Sequence, residues 1–232
     1  MRVVRSAAPV KAAIIAETSA AFSTAILQPR VVYDPRQGAR EARDGRARSV
    51  VKINFGSGPI RLDGWINVDL DPSLRPDVVT ELTRGVPFAS GAVDFIFAED
   101  LVAYLGLPGL RVFLSECRRI LKPQGAMRVL TPDLARLARM YLEAPAELVD
   151  LWNRTVGVPV TTGTACEVMN LAMELAGRFP YDSATLVQLA AEAGFDAVRV
   201  GYRESRFAPL ACLDCRKPRE SLSMYHEFYP RA

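Results

Sequence analysis

The sequence predicts an α/β domain, a doubly wound and mostly parallel sheet, from three observations. Apolar strand-like runs alternate with helical patterns along most of the chain. The first run, Val50-Val-Lys-Ile-Asn-Phe55, stops at Gly-Ser-Gly, and the second, Trp65-Ile-Asn-Val-Asp69, stops at an acid. In a parallel sheet the carboxyl ends of the strands form the ligand edge. Glycines there let the backbone approach a ligand, and a carboxylate ending the next strand can accept hydrogen bonds from both hydroxyls of a ribose. Adenosine is the first ligand this pattern suggests. A lone Gly-x-Gly is also an ordinary turn, so the remaining elements decide.

Asp77-Val-Val-Thr80 reads as a short third strand and Val93-Asp-Phe-Ile-Phe-Ala98 as a fourth, rich in β-formers and bounded by turn residues. From Leu107 to Leu121 the apolar positions Leu110, Val112, Phe113, Cys117, Ile120 and Leu121 recur at helical spacing. Lys122-Pro-Gln-Gly125 breaks that helix, and Ala126 to Thr131 is the fifth strand. A helix is expected from Asp133 to about Leu142, followed by a less regular segment to Pro180. Ser183 to Ala193 is amphipathic, with Leu186, Leu189 and Ala190 on one side and Gly194 at the position of a left-handed cap. Two late strands, Ala197 to Tyr202 and Leu222 to Phe228, close the domain. Only about ten residues separate Phe55 from Trp65, too few for a full crossover helix. The helix after the glycine loop is therefore expected to be a turn or two, a departure from the dinucleotide fingerprint with its third glycine and full helix.

The net charge of +3 is unevenly placed. Residues 1–48 hold 9 of the 29 basic and 4 of the 26 acidic residues, which leaves 20 basic and 22 acidic for 49–232. A clustered basic face for nucleic acid is not expected on the main domain. The first 48 residues, Ala-rich from Ala7 to Leu27 and Arg-rich from Arg30 to Arg48, read as a helical or disordered extension. Glu17 interrupts what would be a signal's apolar stretch, and Asp34, Glu41 and Asp44 are wrong for an acid-poor transit peptide. No uncharged run is long enough to span a bilayer. Cys117, Cys166, Cys212 and Cys215, with His226 as the single histidine, lack the spacing of a structural zinc site and read as incidental thiols in a reducing cytoplasm.

Several motifs in order resemble the class I S-adenosylmethionine-dependent methyltransferases: Asn54-Phe-Gly-Ser-Gly through Gly64-Trp-Ile-Asn-Val-Asp69, Glu81-Leu-Thr-Arg-Gly-Val-Pro-Phe88, Val93-Asp-Phe-Ile96 and Ile120-Leu-Lys-Pro-Gln-Gly-Ala-Met-Arg-Val-Leu-Thr-Pro-Asp133. They are most similar to the small bacterial, type 11-like group, over roughly residues 50–228. The resemblance implies a Rossmann-like sheet of seven strands with the last antiparallel, and S-adenosyl-L-methionine as cofactor. It implies that Gly56, Ser57 and Gly58, with Asn54, lie under the methionyl part and ribose. Asp69 would hold the ribose hydroxyls, and Leu70, Glu81 and Leu82 would border the adenine. Ala98, Glu99 and Asp100 would lie beside the sulfonium and the acceptor. Relatives carry an acid and a histidine where this chain has Ala103 and Tyr104, and a histidine near Gly177-Arg-Phe-Pro180 where it has none.

Methyl transfer is an in-line displacement and needs a base only where the acceptor loses a proton. The candidates are Asp100 and Asp133, each following a strand at the carboxyl edge; Asp133, before Leu134-Ala-Arg136, reads as a helix cap before it reads as a base. His226 is expected on the surface or in an edge strand. The expected activity is methyl transfer to a small-molecule or glycan acceptor, with an insertion at about 140–180 over the acceptor. A non-catalytic cofactor-binding scaffold of the same fold is the second reading, and a nicotinamide-dependent oxidoreductase the third.

Overall fold

The computed structural model describes residues 50–214, 216–218 and 221–232. Seven strands form one sheet: β1 (Lys52–Phe55), β2 (Ile66–Asp69), β3 (Val78–Val79), β4 (Val93–Glu99), β5 (Leu121–Pro132), β6 (Phe195–Arg199) and β7 (Ser223–Pro230), in the order β3-β2-β1-β4-β5-β7-β6. The pairs among β1 to β5 are parallel. β7 is antiparallel to both of its neighbours, wedged between β5 and β6. The expected sheet is thus present, with its one antiparallel strand in the interior of the order.

The core lies on the face covered by α1 (Gly106–Ile120) and α5 (Ser183–Glu192). Of the positions read at helical spacing, Leu110, Phe113, Cys117 and Ile120 are fully buried and Leu121 opens β5, whereas Val112 is 41% exposed and the buried Leu114, which the spacing did not name, fills the face beside them. Phe55 meets Phe113 edge-on at 5.2 Å and Phe88 at 6.2 Å. Each such side chain contributes about 1.5–3 kcal/mol by leaving water. Burial pushes the Cys117 thiol well up, so it packs as a small apolar group. Gly125 is demanded by close approach: a Cβ there would lie 2.7 Å from the Asp94 carbonyl oxygen, at the register shift between β4 and β5.

Three expectations change. No helix, not even one turn, follows the glycine loop; residues 56–65 form turns only. The segment after α2 (Leu134–Glu143) is regular, carrying α3 (Pro145–Thr155) and α4 (Ala165–Leu175), which with α2 enclose a small core of Leu137, Leu148, Trp152, Ala165 and Val168. Trp152 is tolerated there because its indole N–H donates to the Val158 carbonyl at 2.9 Å. His226 is neither at the surface nor in an edge strand. β7 is flanked on both sides, and the imidazole is completely buried with Nε2 2.7 Å from Ser183 Oγ. The sequence missed this because nothing local shows that the last strand inserts between two earlier ones.

The opposite face of β5 and β7 carries a fully buried guanidinium. Arg128 donates Nε and Nη2 to the two oxygens of Asp214 at 2.7 and 2.5 Å, and Nη1 to Glu227 at 2.8 Å. It also reaches the carbonyls of Glu204 and Gly201 at 2.9 and 3.0 Å. Tyr229 supplies a donor to the second Glu227 oxygen. The chain from 200 to 214, including the short α6 (Ala208–Ala211), is thereby fixed over the sheet.

Removing one member of such a cluster strands the others in an apolar setting. Arg128→Met is expected to lower stability by about 3–5 kcal/mol, read as a fall in the urea midpoint; a loss below about 1 kcal/mol would mean that Asp214 and Glu227 find solvent instead. His226 gives a pH dependence. Burial, and secondarily the Arg199 charge, lowers its pKa from 6.5 to about 4, Asp133 opposing the shift. The unfolded chain therefore takes up the proton first as pH falls below about 6.5, and stability declines until about pH 4. Wild type should lose about 2–3 kcal/mol more than His226→Gln between pH 7.5 and 4.5 in denaturant titrations, and equal losses would contradict a buried neutral imidazole.

Candidate functional site

Strand order reverses at β1, whose neighbours β2 and β4 are reached by connections running in opposite directions. The crevice at the carboxyl ends of these strands is where an open α/β sheet receives a ligand. Gly56 and Gly58 take positive φ of 64° and 55°, so the chain reverses at once after β1. A Cβ at position 56 would also lie 3.0 Å from the Leu101 side chain, which covers the turn from the β4 side. Ser57 donates its amide to the Val68 carbonyl at 3.1 Å, and its buried hydroxyl oxygen has no partner among the described residues.

Asp69 ends β2 against this turn. Its Oδ2 accepts the Gly58 amide at 2.7 Å; its Oδ1 accepts those of Leu70 at 2.8 Å and Asp71 at 3.1 Å. Three backbone donors hold the carboxylate between the turns that follow β1 and β2. A carboxylate has about four acceptor positions, so one more donor fits without rearrangement. Leu70 is 44% exposed beside it, an apolar surface next to a fixed charge.

The side chain of Asn54 faces other work. Its Nδ2 donates to Asn67 Oδ1 at 3.1 Å, and both amides are buried. Asn67 also accepts the Leu62 amide at 2.9 Å and donates to the carbonyls of Leu62 and Trp65 at 3.2 and 3.0 Å. Its own backbone N–H and Nδ2 donate to Asp77 at 2.8 and 3.1 Å. These bonds do for residues 56–65 what a helix's internal bonds would have done. Burial works against the charge of Asp77, but the Asn67 bonds and the adjacent Arg61 outweigh it and hold the carboxyl below its ordinary value. Asn67 was not among the residues singled out from sequence, since it lies in a strand and its role depends on contacts from both sides.

Glu81 precedes a 3-10 turn at Leu82–Arg84 and binds the Thr83 hydroxyl at 2.7 Å and Arg84 Nε at 2.8 Å. Leu82 is part of the core, as is Ala98. Glu99 closes β4, and Asp100 follows with a left-handed φ of 51°, unusual for a residue other than glycine. Arg216, carried by the segment between β6 and β7, donates from Nη2 to Asp100 Oδ2 and places Nε 3.5 Å from Glu99. The backbone amide of Asp100 donates to the Leu130 carbonyl at 2.9 Å. Asp100 Oδ1 is buried and accepts nothing among the described residues. The structure thus brings Gly56, Ser57, Gly58, Asp69, Leu70, Glu99 and Asp100 to one edge, and adds Arg216. No sequence signal marked Arg216, whose partner is 116 residues away.

Asp133 takes the first of its two readings, the helix cap, and not that of a base. It is buried, caps α2 through the Arg136 amide at 3.2 Å, and pairs with Arg199 at 3.0 Å, so both oxygens are engaged. Ala103 and Tyr104 serve as anchors for the α2–α4 insertion. The Ala103 carbonyl accepts the amides of Arg178 and Phe179, each at 3.0 Å, and the Tyr104 hydroxyl donates to the Leu175 carbonyl at 2.5 Å. Gly177 is needed because a Cβ there would lie 2.6 Å from the Tyr104 ring. Burial, followed by the Asp100 charge, pushes the Tyr104 phenol up to about 12, so it remains a neutral donor. No group of three metal-ligating side chains occurs among the described residues, and no helix there is long and apolar enough to cross a membrane.

Residues 65–129, from just before β2 into β5, match the family model described as a methyltransferase domain. Solved structures with detectable likeness include a TehB-like SAM-dependent methyltransferase from Corynebacterium glutamicum, 14% identical over 96% of this chain and 100% of that one, with a TM-score of 0.47. Others are SAM-dependent methyltransferases from Thermotoga maritima (15%; 85% and 87%; 0.47) and Aquifex aeolicus (14%; 85% and 89%; 0.44). Likeness at that level carries nothing about substrates. No curated protein matches the chain. The matched segment contains β2 to β4, the Asp69 carboxylate and the acid pair after β4, and over those residues the chain is similar to a methyltransferase domain.

Proposed function

We propose that the protein methylates a small-molecule or glycan acceptor at the carboxyl edge of β1, β2 and β4. The observation that carries this reading is the carboxylate of Asp69 fixed by three backbone amides beside a glycine turn whose Ser57 hydroxyl is buried without a partner. One ribose hydroxyl fits the remaining acceptor position of Asp69, and a second can replace the long Asp71 amide bond. Gly56, Ser57 and Gly58 then border the methionyl chain, Leu70 the adenine face, and the Glu81–Leu82 turn its edge. Bound there, S-adenosyl-L-methionine supplies an electrophilic methyl group. The chain's own residues align the acceptor and exclude water, which is most of what an in-line displacement requires.

In this reading residues 49–232 form the transferase unit, 1–48 an appended extension, and helices α2 to α4 the acceptor side. The near-balanced charge of 49–232 favours a small acceptor over nucleic acid. Free thiols at Cys117, Cys166 and Cys212 fit a reducing cytoplasm, as expected of a bacterial-type enzyme.

Calorimetric titration of the full chain with S-adenosylhomocysteine and, separately, NAD tests the cofactor site. Micromolar binding of the first and none of the second is expected. Asp69→Asn keeps an acceptor but sets an amide N–H against the Gly58 N–H, and should weaken S-adenosylhomocysteine by roughly tenfold or more. Unchanged affinity in that variant, with an unchanged melting temperature, would refute the placement.

A further inference from the structure

The buried and half-buried cations of this chain are paired, with one exception among the described residues. Arg128 lies on Asp214 and Glu227, Arg119 on Glu116, Lys122 on Asp94 and Arg216 on Asp100; Arg118 reaches the Gly194 carbonyl, and Lys52 lies over the Trp65 ring. The exception is Arg136. It is half-buried in the first turn of α2, and its backbone amide serves the Asp133 cap, but its guanidinium has no carboxylate, carbonyl or ring partner among the described residues. Taking a charge partly out of water without a partner costs free energy, and the first turn of a helix is the end at which the dipole disfavours a cation. A fold keeps such a cost where a function needs it.

The surroundings connect this charge to the carboxyl edge. Asp133 follows β5, and Arg136 lies one turn beyond it. Burial pushes the Tyr225 phenol up and Arg136 is among the groups that oppose the shift, so its charge lies beside that hydroxyl. The same hydroxyl donates to the Arg216 carbonyl, and Arg216 holds Asp100 after β4. The acids nearby are committed to other arginines: Asp133 to Arg199, Glu99 and Asp100 to Arg216. Arg139, exposed and three residues further along α2, adds a charge of the same sign.

We propose that Arg136 binds an anionic group of the acceptor, a phosphate or a carboxylate, so that phosphorylated or acidic small molecules and sugars are the preferred acceptors and neutral glycans poor ones. The proposal rests on methyl transfer at the carboxyl edge with α2 to α4 on the acceptor side. Arginine suits the task because its planar fork of N–H donors matches two oxygens of either anion and stays charged at any working pH. The anion approaches from the side of Arg136 that is open to solvent and neutralises the charge that the fold leaves unpaired.

Calorimetry on the full chain tests this with inorganic phosphate and with acetate, at constant ionic strength in chloride, with and without S-adenosylhomocysteine. At least one of the two is expected to bind in the millimolar range, and the tighter names the anion. Arg136→Gln should weaken that binding about fivefold or more and Arg136→Lys should keep most of it, with S-adenosylhomocysteine affinity within about twofold of wild type in both. Arg136→Met keeps the aliphatic packing and removes an unpaired charge, so its urea midpoint should equal or exceed that of wild type. Binding of neither anion by wild type, or binding that survives in Arg136→Gln, overturns the proposal. So does a lowered urea midpoint in Arg136→Met, which would mark a structural role for the guanidinium. Anion binding through Arg136 in a chain that does not bind S-adenosylhomocysteine overturns the cofactor reading instead, and the anion is then no acceptor's.

Discussion

The buried guanidinium of Arg128 is the interaction on which the second half of the molecule depends. A cation taken out of water costs several kcal/mol even after relaxation, and the structure offsets this only by giving all five N–H groups an acceptor. Those acceptors come from β7 and from the segment that follows β6. A single side chain on β5 therefore ties together the antiparallel strand and the chain that leads to it. The same segment goes on to carry Arg216 to the end of β4. The stability of the closing strands and the geometry of the acid pair are linked through one residue that touches neither ligand nor solvent.

At the other end of the sheet the short β1–β2 connection sets the character of the carboxyl edge. A full helix would have offered its N-terminal amides to a ligand. Here the turns leave those amides to Asp69, and Asn67 replaces the missing internal bonds with side-chain ones. The site is consequently organised around a carboxylate with three backbone donors already in place. Its preorganisation comes from the loop itself and does not wait for ligand.

Ala103 and Tyr104 have a structural role. The small Ala103 exposes a carbonyl to two amides of the insertion, and the Tyr104 ring fills the space that Gly177 leaves. Both residues dock the α2–α4 segment onto the carboxyl edge, and Asp100 is the carboxylate that follows β4.

The sequence by itself determined the strand series, because period-2 apolar runs, the Gly-Ser-Gly stop and the helix-breaking Lys122-Pro-Gln-Gly125 are each decided within a few residues. It also determined the sharp glycine turn after β1 and the acid at the end of β2, since glycines and an acid at strand ends have a local meaning, and it marked Asp133 as a helix cap. Only the tertiary structure decided that β7 enters between β5 and β6, which turns His226 from an expected surface residue into a buried neutral one. Only the fold, too, turned the side chain of Asn54 toward Asn67 and brought Arg216 to Asp100 across 116 residues. These outcomes depend on which segments become neighbours, and a contact between distant segments leaves no period or spacing in a single chain from which it could be read.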